Sequence, residues 1–215
     1  MKAQQLFDDL RGVLNSFYDN ETILIRALLR IHNKNNPIDC DPMYNKGHFY
    51  LNSDFTIEKP QYRFDINPHK DCLRGDARDL PLADNSIQCI ILDPPFMFGL
   101  HGKTDGSRLT KRYTMFNNFD ELQDCYVKIL AEAFRVLKKG GICIFKCQDY
   151  TDSITTMTHC LVWKWACDLG FYPKDIAILN LKMSKISNPA LRQRHLRKTH
   201  CYFWVFQKQK GRKNG

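Results

Sequence analysis

The sequence predicts an α/β protein with a mainly parallel sheet and an antiparallel hairpin at its C-terminal end. From Pro37 onward, short apolar runs alternate with amphipathic helical patterns, which is typical of parallel strands joined by helices. The last two apolar runs are instead joined by a long segment without a helical pattern, which favours an antiparallel hairpin at one edge. With 215 residues, 43% of them hydrophobic, the chain is large enough for one domain with its own core.

The predicted elements follow in a regular order. Residues 4–32 are expected to form two helices, because Leu6, Leu10 and Val13 share one helical face and the pattern breaks near Asn20. Seven strands are predicted at 38–41, 62–66, 71–75, 88–93, 141–147, 176–182 and 201–207. Two more helices are predicted at 120–137, with a basic last turn and a glycine stop in KKGG, and at 153–169 before Gly170. We expect a helical segment at 1–36 packed on the core, an α/β domain at 37–208 and a basic tail at 209–215.

The charge is unevenly distributed along the chain. The net charge is +9, but residues 1–100 carry −3 and residues 101–215 carry +12. A basic half of a protein is typical of a polyanionic partner, most often nucleic acid, although a solvated basic surface would have the same composition.

The nine cysteines and the lengths of the apolar runs indicate the cellular compartment in which the protein is expected. The cysteine count is odd, there is no CxxC pair and most of the cysteines lie inside apolar runs, so we expect buried thiols in a reducing compartment and no metal site. No apolar run approaches the roughly 18 residues of a membrane span. The first 14 residues carry acids where a signal peptide would be apolar, which favours a cytoplasmic protein without a membrane partner.

Acidic residues end or follow four consecutive predicted strands. They are Asp41, Asp65, Asp76 and Asp93. An aspartate after a strand is common in turns, but ligands of parallel sheets bind beyond the carboxyl ends of the strands, where these four residues would meet. The last of them opens the segment Asp93-Pro94-Pro95-Phe96. Two prolines can end a strand, but they do not account for the acid and the aromatic residue beside them.

The segment GDARDLPLADNSIQCIILDPPF, residues 75–96, resembles class I S-adenosylmethionine-dependent methyltransferases, in particular those that methylate exocyclic amines of bases. The resemblance extends through about residues 37–207. It implies a Rossmann-like, mainly parallel seven-stranded sheet, S-adenosylmethionine as cofactor and no metal.

Three motifs are similar to the cofactor site of that family. DPMYNKG, residues 41–47, resembles the first motif, whose glycine passes close to the methionine moiety. FDINP resembles the second, with Asp65 at the position that holds the ribose hydroxyls, and Asp76 matches the acid that accepts from the adenine amino group. The resemblance assigns cofactor binding to Asp41, Met43, Asn45, Gly47, Asp65, Asp76 and Ala77.

The segment Asp93-Pro94-Pro95-Phe96 resembles the fourth motif of the family, which is the catalytic one. In the resemblance, the Asp93 carboxylate and the Pro94 carbonyl accept the two N–H groups of the base amine and hold it in line with the sulfonium methyl group. Pro95 stiffens the loop, and Phe96 stacks on the target base once the base has left its helix. A buried core position is the alternative for Phe96.

The sequence departs from the family in its first half. Asn45 stands where a glycine is usual, and Asn tolerates positive φ better than most residues. Only ten residues separate Asp65 from Asp76, fewer than a crossover helix needs, and GHFYLNSDFTIEKPQ is a poor helical pattern. We therefore expect part of the cofactor wall to be trimmed, which leaves an inactive or partner-completed protein open.

Two basic segments follow the catalytic motif. The cations of the first are Lys103, Arg108, Lys111 and Arg112, and those assigned to the second are Lys185, Arg192, Arg194, His195, Arg197 and Lys198. Residues 182–200 contain no acid, so both segments are predicted to contact nucleic-acid phosphates, with a solvated loop as the alternative. RKTHCYFWVF, residues 197–206, resembles the end of small methylases encoded by phages and other mobile elements.

The predicted function is methyl transfer to adenine N6 in DNA, favoured over cytosine N4 by the aspartate that opens the fourth motif. Without a dedicated recognition domain, the target site should be short or loosely defined. An RNA methyltransferase acting on adenine N6 or guanine N2 and a non-catalytic nucleic-acid-binding subunit both stay open. So do a homodimer and a complex with a partner subunit.

Overall fold

The computed structural model describes residues 14–51, 56–99, 116–151, 154–181 and 195–209. The strands are β1 Phe17–Tyr18, β2 Cys40–Asp41, β3 Tyr62–Asp65, β4 Leu73–Arg74, β5 Ile87–Leu92, β6 Leu137–Cys147, β7 Tyr150–Thr151, β8 Thr155–Thr156, β9 Phe171–Asn180 and β10 His200–Lys208. The helices are α1 Glu21–His32, α2 Phe119–Val136 and α3 Thr158–Asp168, with a short 3-10 turn at His48–Tyr50.

Eight of these strands form one sheet in the order β1-β9-β10-β6-β5-β2-β3-β4, and β7 pairs with β8 in a separate ribbon. The five neighbouring strands β6, β5, β2, β3 and β4 are all parallel, and β10 runs antiparallel to both β6 and β9. All seven predicted strands are confirmed, as are the parallel order and the antiparallel hairpin. The sheet is Rossmann-like, with one reversed strand near one end.

The eighth strand corrects the prediction for the N-terminal region. Phe17 and Tyr18, expected in a helix, pair in parallel with Ile178 and Leu179 of β9. The open edge of β9 offers backbone hydrogen-bonding groups, and this long-range pairing overrides the local helical pattern. The hairpin therefore does not end the sheet. The rest of the first predicted helix, residues 4–13, lies outside the described residues.

The helix boundaries show where local signals succeed. The predicted break at Asn20 is confirmed, because its side chain caps α1 by accepting from the Ile23 N–H at 3.0 Å. The glycine stop after α2 is wrong: β6 begins at Leu137 directly after the helix, and Gly140 lies within that strand at φ +84°. Helix α3 begins at Thr158, five residues later than predicted, because β7 and β8 occupy the preceding positions.

The sheet is buried on both faces. In β5, Ile90 and Leu92 pack with α2 and α3 on one face, and Cys89 and Ile91 pack with α1 on the other. Because this strand is covered twice, its near-continuous apolar run is what burial requires.

The trimmed crossovers are confirmed in the described part of the chain. Residues 66–72 connect β3 to β4 with turns and no helix, and the described residues between β2 and β3 hold only the 3-10 turn. Edge strand β4 is correspondingly open, with 69% of Leu73 exposed. None of the helices in the described ranges is long and apolar enough to cross a membrane.

Candidate active site

The four predicted acids meet at one edge of the sheet. Because β2, β3, β4 and β5 are parallel neighbours, the residues at their carboxyl ends lie side by side. Asp41 and Asp65 are the last residues of β2 and β3, and Asp93 follows β5 directly. Asp93 and Asp65 lie near enough to Asp41 for their negative charges to raise its pKa.

Asp41 lies beneath the first motif rather than on its surface. Its side chain is buried and accepts from the Met43 N–H at 3.1 Å and from the Tyr50 hydroxyl at 3.0 Å. Burial raises the pKa of Asp41 to about 7; Asp93 and Asp65 add to the rise, and the two hydrogen bonds oppose it. In this position Asp41 holds the following turn in place.

The turn of the first motif has the conformation that the missing glycine would supply. Asn45 adopts φ +47° and Gly47 adopts φ +69°. A Cβ atom at Gly47 would lie 2.6 Å from the hydroxyl oxygen of Tyr44, so only glycine fits there. The Asn45 N–H donates to Oδ2 of Asp65 at 2.9 Å, which joins the first and second motifs. Asp65 also accepts from the Asn67 N–H at 2.8 Å.

The acid of the third motif has a charged partner in its own loop. Arg78 donates through Nε and one terminal nitrogen to both carboxylate oxygens of Asp76, at 2.6–3.1 Å. These hydrogen bonds lower the pKa of Asp76. Ala77, between the two, is buried. The following Leu80 N–H donates to Oε1 of Glu132 in α2 at 2.6 Å, which anchors the loop to the core.

The segment Asp93-Pro94-Pro95-Phe96 is held on both sides by residues that sequence reasoning did not single out. Lys146 of β6 donates to Oδ2 of Asp93 at 3.0 Å, and the buried Tyr126 of α2 donates to the Pro95 carbonyl at 2.9 Å. Phe96 is half-buried, a position that leaves both stacking and packing open to it. A lone lysine inside the apolar run ICIFKC was the available signal for Lys146.

The basic segments begin and end close to this edge. Across the base of the first one, the Gly99 N–H donates to the Phe116 carbonyl at 3.2 Å, and the Phe116 N–H donates to the Met97 carbonyl at 3.1 Å. Its four cations and Lys185, Arg192 and Arg194 of the second lie outside the described residues. His195 and Arg197 are exposed, and Lys198 accepts through its carbonyl from Gln148 just beyond β6. A role for any of them in binding nucleic acid stays a prediction.

A polar network covers the same edge on the side of β10. The buried Asp149 accepts from His159 at 2.7 Å, and the ring of His159 stacks on Tyr202 with centroids 4.1 Å apart. His200 contacts the Tyr202 hydroxyl at 2.9 Å. Among the described residues, no three potential ligands lie close enough together to hold a metal ion.

This sheet order, with one antiparallel strand inserted beside β6 and acids clustered at the carboxyl edge, defines a class I methyltransferase fold. A candidate methyltransferase from Bacillus halodurans C-125 shares it, with a TM-score of 0.51 and 14% identity over 86% of this chain and 98% of that one. At that identity the likeness shows the fold alone.

Residues 87–214 match the family model N6_N4_Mtase, described as DNA methylase. The match spans more than half of the chain, from β5 to the C-terminal tail. The chain therefore belongs to this family of DNA methylases, which confirms the resemblance drawn from the DPPF motif.

Two DNA methylases are among the similar solved structures. A candidate DNA modification methylase from Thermus thermophilus aligns at 16% identity and TM-score 0.44, over 66% of this chain and 53% of that one. The cytosine-N4-specific PvuII DNA methyltransferase aligns at 15% identity and TM-score 0.44, over 63% and 48%. This chain thus spans about half the length of these structures. No curated protein sequence matches it.

Proposed function

We propose that this protein transfers a methyl group from S-adenosylmethionine to an exocyclic base amine, with adenine N6 in DNA as the preferred target. The observation that carries the proposal is the placement of Asp93-Pro94-Pro95-Phe96 at the carboxyl end of central strand β5, inside the region matched by the DNA methylase family. The aspartate that opens this motif favours adenine N6 over cytosine N4. The basic C-terminal half supports a nucleic-acid substrate.

The residues at the sheet edge fit the cofactor. A carboxylate can accept about four hydrogen bonds, and two reach Asp65, so capacity remains for ribose hydroxyls. Asp76 is occupied by Arg78, but both side chains are more than a third exposed. An exposed ion pair is worth at most about 1 kcal/mol, so an adenine amino group can replace Arg78 at small cost.

The chemistry follows from the acceptors around Asp93. Bound S-adenosylmethionine would supply an electrophilic sulfonium methyl group and, in its thioether, a leaving group that keeps the electron pair of the broken carbon–sulfur bond. The Asp93 carboxylate and the Pro94 carbonyl accept the two amine N–H groups, which turns the nitrogen lone pair out of conjugation with the base. Asp93 then takes the proton that the nitrogen loses. Phe96 stacks on the extruded base.

A second candidate is a non-catalytic or partner-completed nucleic-acid-binding subunit. The Asp76–Arg78 ion pair favours it, because the acid assigned to adenine recognition is engaged within the chain. The trimmed crossovers on either side of β3 also favour it, because they remove part of the wall that would enclose a cofactor.

The experiment offers labelled S-adenosylmethionine with duplex DNA and with total RNA in parallel, and identifies the product nucleoside by mass. N6-methyladenine in DNA is the expected result. N4-methylcytosine would show that the target base is cytosine instead of adenine, and label in RNA alone would show that the substrate is RNA instead of DNA. No label in either, from protein shown to be folded, would overturn the proposal and favour the second candidate.

A further inference from the structure

Lys146 is the one charged residue in the run 142–147 of β6, whose other members, Ile142, Cys143, Ile144, Phe145 and Cys147, are all buried. Its ammonium group lies between two carboxylates: Oδ2 of Asp93 at 3.0 Å and Oε1 of Glu21 at 2.8 Å. Glu21 stands in the first turn of α1, where the helix dipole stabilises a negative charge. The Phe49 ring lies beneath the cation, with its centroid 5.2 Å from Nζ.

This environment holds the lysine charged and in place. Burial lowers the pKa of Lys146, and the charges of Asp93 and Glu21 outweigh that effect and raise it. The anion on each side and the aromatic face beneath offset the desolvation cost of the ammonium group, so the charge is held at this position in the core. A charge retained here at the cost of desolvation calls for an explanation beyond stability.

The hydrogen bonds around the catalytic segment provide that explanation. Lys146 occupies Oδ2 of Asp93, and Tyr126 occupies the Pro95 carbonyl. In the described part of the chain, Oδ1 of Asp93 and the carbonyl of Pro94 accept no hydrogen bond. Among the described residues, two of these four oxygens accept a hydrogen bond and two accept none, and a base amine has two N–H groups to donate.

We propose that Lys146 is a positioning residue for methyl transfer, which holds Asp93 by Oδ2 so that Oδ1 and the Pro94 carbonyl together receive the substrate amine. The inference rests on the proposed function, because it assigns that amine as the ligand of Oδ1. Lys146 contacts neither base nor cofactor in this account and acts only through Asp93. Its link to Glu21 also ties the geometry of the active site to helix α1.

The test compares full-length Lys146→Gln with wild type in single-turnover methyl transfer, with cofactor and DNA affinities measured separately. The transfer rate should fall about 10- to 100-fold, as small misplacements of a catalytic group do, while both affinities change by less than about twofold. Lys146→Arg, which keeps the cation, should retain most of the rate. Lys164→Gln, which breaks an exposed ion pair on α3, is the matched control and should leave the rate unchanged.

A double-variant cycle separates positioning from general structure. In an Asp93→Asn background, Lys146→Gln should cause little additional loss of transfer, because Lys146 has no other route to the reaction. An equal loss in both backgrounds, or an unchanged rate in Lys146→Gln alone, would overturn the inference.

The same four proteins give a readout that needs no activity. The melting temperature of the double variant should fall by less than the sum of the two single variants, because Asp93 and Lys146 stabilise each other. If the falls in melting temperature of the single variants add up to that of the double variant, Asp93 and Lys146 are not coupled and the inference is wrong. A wild-type protein without transfer but with this coupling would contradict the proposed function and retain the Asp93–Lys146 link.

Discussion

The backbone N–H of Asn45 donates to the side chain of Asp65 at 2.9 Å, so the first and second motifs of this protein form one structural unit. The bond requires the turn at Asn45 to adopt φ +47°, a conformation that Asn tolerates and a β-branched residue does not. Asn45 therefore adopts the left-handed conformation for which glycine is usual at this position.

Asn45→Val should destabilise the protein and Asn45→Gly should not. Forcing a β-branched residue into the left-handed region costs about 1–3 kcal/mol, and the strain would also move the N–H away from Asp65. Urea unfolding of the three proteins measures the difference. Equal stability of the Val and Gly variants would show that the turn does not depend on this φ.

Arg78→Ala should tighten the binding of S-adenosylmethionine, and Asp76→Ala should weaken it. Arg78 competes with the adenine amino group for the Asp76 carboxylate, and an exposed pair worth at most about 1 kcal/mol corresponds to a gain of up to about fivefold. Calorimetric titration with the cofactor measures both affinities. Weaker binding by Arg78→Ala would mean that Arg78 assists the cofactor instead.

The contribution of Asp41 to stability should decrease as the pH rises from about 4 to 7, and Asp41→Asn should remove that contribution. Asp41 has an ordinary pKa of 3.8 and a folded-state pKa of about 7, so in this window the folded protein keeps a proton that the unfolded chain releases. Its contribution is complete below the unfolded pKa and is lost as the pH passes the folded one, at up to about 1.4 kcal/mol per pH unit. Parallel pH profiles for the two proteins would contradict the buried position of Asp41.

Replacing Arg192, Arg194 and Arg197 together by Gln should weaken DNA binding and reduce its salt dependence. Each lost phosphate contact lowers the slope of log affinity against log salt by about 0.9, so three contacts would lower it by nearly 3. Lys128, Lys164 and Lys174, which are exposed elsewhere, provide a matched triple replacement. If both triple variants share the wild-type slope, the segment 182–200 does not contact the phosphates.

The sequence predicted those parts of the fold that depend on local pattern. Seven strands, the break near Asn20 and the acids at the sheet edge follow from apolar period, turn residues and motif spacing. The pairing of β1 with β9 does not, because it joins residues about 160 positions apart and is decided by an open sheet edge. Nor did KKGG stop a helix, since the β5–β6 pairing begins at Leu137 and draws that segment into the sheet.

The site divides in the same way. The sequence predicted that Asp41, Asp65 and Asp93 lie together, because parallel strands bring their carboxyl ends to one edge. The roles of Arg78, Tyr126 and Lys146 could not be predicted in this way. Each of them contacts a partner that only the packing of the folded chain brings within reach. Of the three, only Lys146 could be noticed in the sequence, as the single charge in the apolar run ICIFKC, residues 142–147.

In the proposed reaction, Asp93 is the acceptor that positions the base amine for methyl transfer. Methyl transfer and DNA binding are to be measured for wild type and Asp93→Ala in one preparation. We expect the variant to lose transfer and to bind DNA with an affinity within about twofold of wild type, since Asp93 contacts the amine and no phosphate. Transfer that survives in Asp93→Ala would rule out this role for Asp93.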